Sequence, residues 1–239
     1  MFGAIQIVSC YSLLQSPLRL EELITAAKER GYQALALTDR NVMYGAAAFY
    51  QLCQKQKIKP LIGMTLELNP GNELILIAKD QIGYQNLLQL STIKNRLLAE
   101  NQVEYPLDEI KSHLTGLLVI TPLTNSLVIK SLQTGKQEQA VNFLTELQQK
   151  VMAKDLFLGM SPQLSSPLCQ AMQTLAKKQH LRLTALEPVN YLDPADEAYL
   201  KVLQAIRQGT RLETFELQEK STIKAWLQPA AKVQSAYQN

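Results

Sequence analysis

Short apolar runs alternate along this chain with longer stretches in which apolar residues recur every three or four positions. Ile5-Gln6-Ile7-Val8 and Ala34-Leu35-Ala36-Leu37-Thr38 are of the first kind and predict buried strands. Between them Ser16-Pro17 offers a helix start, and Leu20, Leu23, Ile24 and Ala27 repeat at helical spacing until Gly31. The same reading predicts a helix over 44–55, then strands over 61–68 and 74–78 joined as a hairpin across Asn69-Pro70-Gly71-Asn72. Helices over 84–98 and 107–113 precede a strand at 117–121, and further strands at 156–160 and 182–185 bring the set to seven. Helical patterns over 125–132, 138–151, 168–178 and 194–207 fill the intervals. Such alternation predicts an α/β fold with a largely parallel, covered sheet, either open or closed into a barrel.

Composition narrows the class without choosing a function. A chain of 239 residues accommodates one large domain or two small ones, and a hydrophobic fraction of 46% supplies a core. The formal charge of +3 and pI near 8.6 fall short of the concentrated basic stripe of a free-standing nucleic-acid binder. Cys10, Cys53 and Cys169 lie far apart with no CxxC spacing, which suggests neither a disulfide framework nor a structural zinc site and fits a reducing cytoplasm. No apolar run reaches the roughly 20 residues that span a bilayer, and the first residues lack the pattern of an export leader, so no membrane partner is expected.

Two segments carry candidate chemistry. The first strand leads into Ser9-Cys10-Tyr11-Ser12-Leu13-Leu14, and the second delivers Asp39-Arg40-Asn41-Val42-Met43-Tyr44-Gly45. With Ile58-Lys59-Pro60-Leu61-Ile62-Gly63, Ala78-Lys79 before Gly83-Tyr84-Gln85-Asn86-Leu87, Leu107-Asp108-Glu109-Ile110 and Val202-Leu203-Gln204-Ala205-Ile206-Arg207, their order and spacing resemble a PHP (polymerase and histidinol phosphatase) domain. The version resembled is the one at the N-terminus of bacterial DNA polymerase III alpha subunits. The resemblance implies a distorted seven-stranded (β/α)7 barrel, similar to a TIM barrel, with a metal site at the C-terminal ends of the strands. It further implies a PHP domain over residues 1–209 and the start of a connection to the polymerase core over 210–239.

The family places a His-x-His pair on the first strand, whose two side chains share one side and grip an ion together. Gln6 and Val8 stand there, and the family's Asp-His pair reads Asp39 and Arg40. A Gly-Cys-Glu segment corresponds to Gly63-Met64-Thr65, a histidine to Glu73, a cysteine to Leu123, and the Asp and His of a late Asn-Asp-Val-His-Tyr motif to Pro188 and Asn190. Phosphoester chemistry on clustered metals needs several donors per ion, and a guanidinium repels a cation. The nine positions therefore read as a vestigial site without metal or catalytic residues, in which Arg40 replaces the ion's charge by pairing with Asp39 or a nearby carboxylate such as Glu73.

For function, the resemblance implies a stretch of a replicative DNA polymerase III alpha subunit with a structural and interaction role. The whole subunit would extend DNA with magnesium held by palm aspartates, and this stretch would need no cofactor. Its implied partners are the rest of the subunit, a separate proofreading exonuclease, and DNA through the full-length protein. Two other readings stay open: a metal-dependent phosphoesterase or 3′-5′ exonuclease with rearranged ligands, and a stand-alone adaptor on the same scaffold. The two histidines, His113 and His180, read as helix-end residues, and Cys10 as a free thiol. The lysines at 55, 57, 59, 177 and 178 read as solvated faces, and the tail around Trp226 as packed on this domain or on a neighbour.

Overall fold

The computed structural model describes residues 2–102, 104–105, 107–218 and 223–238. The chain divides into two compact units, one formed by the residues up to Ile62 together with those from Glu187 onward, the other by Gly63–Leu186.

The first unit opens with β1 (Gly3–Ile7), α1 (Leu20–Glu29), β2 (Ala34–Leu37) and α2 (Ala46–Gln56), followed by β3 (Lys59–Asn69), which runs on into the second unit. β1, β2 and the first residues of β3 are parallel neighbours, with Ala4 opposite Leu35 and Leu37 opposite Ile62. Alternation sends Ile7, Leu35 and Leu37 into a core shared with Leu23, Ile24 and Ala27 of α1 and Phe49 and Cys53 of α2. α2 stops where Lys57 turns left-handed, which delivers the chain to β3.

The second unit continues with β4 (Asn72–Ala78), α3 (Gln81–Ala99), α4 (Leu107–Lys111), β5 (Leu117–Thr121), α5 (Leu127–Gln133), α6 (Gln137–Gln148), β6 (Leu156–Met160), α7 (Ser166–Lys178) and β7 (Arg182–Ala185). The β3–β4 hairpin is antiparallel, as is β4 with β5, whereas β5, β6 and β7 are parallel. α3 begins three residues before its expected start because the Asp80 carboxylate caps it, accepting from Gly83 N–H at 2.9 Å. The covering expected of the sheet fails at β7, where Arg182, Leu183 and Ala185 are exposed.

The chain returns to the first unit through β8 (Pro188–Val189), α8 (Glu197–Gln208), α9 (Leu212–Gln218) and α10 (Ala230–Ala236). All seven expected strands are present, and β8 is an eighth, parallel to β1 with Gln6 opposite Pro188. The helix expected over 194–207 is divided: Asp193 and Asp196 form a reciprocal capping box around a tight turn over Pro194–Asp196, and α8 begins after it.

Much of the expected connection, 210–239, packs on the first unit. Asn190 N–H donates to Ala225 C=O at 2.7 Å, Leu227 N–H to Tyr191 C=O at 3.1 Å, and Leu227 and Ala230 enter the core. Arg30 holds this arrangement by donating to the carbonyls of Leu192 and Leu227 and to Asp193 Oδ1. Trp226 bridges to Tyr191, with the Lys232 ammonium 5.5 Å over its ring, so the tail's home is its own unit. Residues 219–222 of the expected connection and the Leu217 side chain lie outside the described residues. Among the described residues no helix is long and apolar enough to cross a membrane.

Candidate functional site

The C-terminal ends of β1 and β2 lie side by side because the strands are parallel, and Thr38 ties them, its N–H donating to Ile7 C=O at 2.8 Å. This brings Asp39 against the turn that follows β1. Asp39 is 2% exposed, and its carboxyl accepts hydrogen bonds from that turn. Ser9 N–H donates to Oδ1 at 2.7 Å, the Ser9 hydroxyl lies 2.8 Å from Oδ2, and the Ser12 hydroxyl donates to Oδ1 at 2.8 Å. Burial raises the Asp39 pKa above its ordinary value, and these bonds from Ser9 and Ser12 act in the opposite direction.

Ser12 serves two neighbours, since its oxygen also accepts the backbone N–H of Arg40 at 2.8 Å. The Arg40 guanidinium donates to Gln15 Oε1 at 3.2 Å, and the Asp39 carboxyl sits in a cradle of serine donors. Gly45 closes the other side: a Cβ there would meet Tyr11 Cδ2 at 2.8 Å and Asp39 Oδ2 at 3.3 Å, so only glycine leaves room for the Tyr11 ring. Cys10 is exposed, and partial desolvation, then the Asp39 charge, raise its thiol pKa, the reverse of an activated nucleophile.

Gln6 and Val8 are buried beside β8. Val8 N–H donates to Val189 C=O at 2.9 Å, and Gln6 Oε1 has no hydrogen-bond partner among the described residues. Pro188 is buried in β8, while Asn190 serves through its backbone, accepting the Ser16 hydroxyl at 2.7 Å. The first unit thus brings together Gln6, Val8, Asp39, Arg40, Pro188 and Asn190 around three neighbouring strand ends.

The remaining three positions belong to the second unit. Thr65 is buried on β3 opposite Ile75, and Leu123 is a buried apolar residue after β5. Glu73 is buried on β4, where Asn125 grips it twice: its amide donates to Glu73 Oε1 and its carbonyl accepts Glu73 N–H, both at 2.8 Å.

These residues do not fit the family's metal cluster. Within the first unit the donors at these positions are two neutral amides, Gln6 and Asn190, and one carboxyl already engaged by two serines. Among the described residues no three His, Cys, Asp or Glu side chains come together to hold an ion. Neither histidine lies near these positions in the sequence; His113 instead sits 3.4 Å from Asn86. Sequence reading missed Ser9, Ser12, Gln15 and Asn125 as the groups that hold the surviving polar side chains. The signal for the serines was their placement in the turn leaving β1.

The PHP domain family matches residues 5–163. DNA polymerase III subunit alpha of Bacillus subtilis is 31% identical over 99% of this chain, and that of Halalkalibacterium halodurans is 31% identical over 92%. The chain spans about one fifth of the length of these relatives, 21% and 20% respectively. Among solved structures, one described as a metal-dependent phosphoesterase of Bifidobacterium adolescentis aligns with a TM-score of 0.51 at 10% identity, covering 77% of this chain and 86% of that one. An amidohydrolase of Chromobacterium violaceum aligns with a TM-score of 0.51 at 14% identity, covering 84% and 96%. At such identities these two show a shared fold. The family match and the polymerase relatives together establish that this chain belongs to the PHP domain family.

Proposed function

We propose that this chain is the PHP module of a replicative bacterial DNA polymerase III alpha subunit, kept as a rigid, non-catalytic surface around which the subunit is organised. The state of Asp39 carries the reading: the family ligand position that retains its carboxylate is turned to Ser9 and Ser12, and Val8, Arg40 and Pro188 stand at the positions around it. A hydrolytic metal site needs several anionic or imidazole donors around one ion, and among the described residues no three His, Cys, Asp or Glu side chains come together in that way. In this reading DNA synthesis belongs to the whole subunit, which takes up deoxynucleoside triphosphates with magnesium held by palm aspartates. Proofreading falls to a separate exonuclease, and the working compartment is the cytoplasm.

The test is incubation of the purified chain with 5′-labelled primer-template DNA and manganese. The expected result is a primer of unchanged length. Shortening that disappears in Asp39→Ala would instead favour the phosphoesterase or exonuclease reading with rearranged ligands.

A further inference from the structure

One apolar stripe of α8 lies largely on its solvent side. Tyr199, Val202, Leu203 and Ile206 recur at i, i+3, i+4 and i+7, the spacing of one helix face. A helix that only covered its own unit would turn this face inward. Here Tyr199 is 65% exposed, Val202 42% and Ile206 58%. Leu200 and Ala205, off this stripe, are the buried residues, and Lys201 bridges to Glu197 at 3.6 Å along the helix. Single exposed apolar residues are ordinary, but a contiguous stripe on a regular helix marks a surface that is covered in the working protein.

The size of the stripe bears on what covers it. Three large side chains bury a few hundred Å2 on each partner, below the roughly 800 Å2 per partner of a stable free-standing complex. Contacts between domains of one polypeptide hold with less, because the tether has already removed most of the translational freedom. The polymerase relatives carry about four fifths of their length beyond what this chain matches, and the match to Bacillus subtilis takes in 99% of this chain. In those relatives the counterpart of α8 therefore shares its polypeptide with a large further body.

We propose that the Tyr199–Val202–Ile206 face of α8 seats in an apolar groove of the polymerase body of an alpha subunit. This rests on the reading of the chain as a polymerase module and names the surface through which it is held. The mode is a helix laid into a groove, with Tyr199 and Ile206 as anchors one stripe apart.

The experiment places p-benzoylphenylalanine at position 199, or as a control at exposed position 25 on α1, in the gene expressed in its own cell. Ultraviolet cross-links are then identified by mass spectrometry. The expected result is cross-linked peptides from an alpha-subunit polymerase body at position 199, at least tenfold above the control, and lost in the Val202→Asp/Ile206→Asp variant. Cross-links confined to a second copy of this chain, or no excess over the control while a polymerase body is present on the polypeptide or co-purifies, overturn the α8 assignment and leave the polymerase reading standing. If no polymerase body is on the polypeptide or co-purifies, the polymerase reading falls and the assignment with it.

Discussion

Ser9 grips Asp39 with both of its donors, the backbone N–H 2.7 Å from Oδ1 and the hydroxyl 2.8 Å from Oδ2. Ser12 adds a third donor at 2.8 Å and holds Arg40 N–H with the same oxygen. A carboxyl bound in this way works as a pin between the ends of β1 and β2. Ser12→Ala leaves both Asp39 and the Arg40 N–H short of a partner, and is expected to lower unfolding stability by about 1.5–3 kcal/mol. Urea denaturation measures it, and a loss below about 0.5 kcal/mol would reduce the pin to an incidental contact.

Asp39 also sets a pH dependence. Its pKa in the folded state is raised by burial, so the folded protein holds the proton more tightly than the unfolded chain does. Its contribution to stability is complete below the unfolded carboxylate value, about 4, and is lost as pH rises through the higher folded value. Asp39→Asn removes this titration. The melting temperature of the variant relative to the parent should therefore climb as pH is raised from about 4. A difference that falls over the same window would mean that the ionised carboxylate stabilises the fold.

Strand existence was legible in the sequence because most of the seven strands contain a compact apolar run; 156–160 and 182–185 coincide with β6 and β7. β8 was not, since two residues carry no periodicity, and Pro188-Val189 read as part of a ligand motif. The antiparallel β3–β4 hairpin announced itself through Asn69-Pro70-Gly71-Asn72, whereas the exposure of β7 depends on its edge position, which no local pattern encodes. At the site, the identities at the nine positions were readable. The partners of Asp39 and Glu73 were harder to see, because Ser12 stands 27 residues from Asp39 and Asn125 stands 52 from Glu73.

Gln6 is a buried polar residue of the candidate site. Its buried Oε1 has no hydrogen-bond partner among the described residues, and such an orphan acceptor costs about 1–3 kcal/mol. Gln6→Met keeps the length of the side chain and removes the orphan, so it should raise stability by about 1 kcal/mol by thermal or urea unfolding. Destabilisation would indicate that the amide is engaged in the working protein.

Arg30 joins α1 to the returning chain through two carbonyls and Asp193. Arg30→Ala leaves those carbonyls without their donor and should expose the segment around Leu192 and Leu227 to limited proteolysis, with a stability loss of about 1–3 kcal/mol. Asp193→Asn should change little, because that carboxylate is 58% exposed and its ion pair is screened. Equal losses from the two variants would shift the weight from the carbonyls to the ion pair.

In the proposed reading the PHP scaffold persists with a serine-held carboxyl where the family carries its metal chemistry. Elemental analysis of the purified chain after exposure to excess manganese and zinc, followed by gel filtration, tests it most directly. The expected result is less than one tenth of an equivalent of either metal, on the order of adventitious surface binding, and an unchanged melting temperature in EDTA. Retention of about one equivalent or more, lost in Asp39→Ala, would contradict it and make Asp39 a ligand after all.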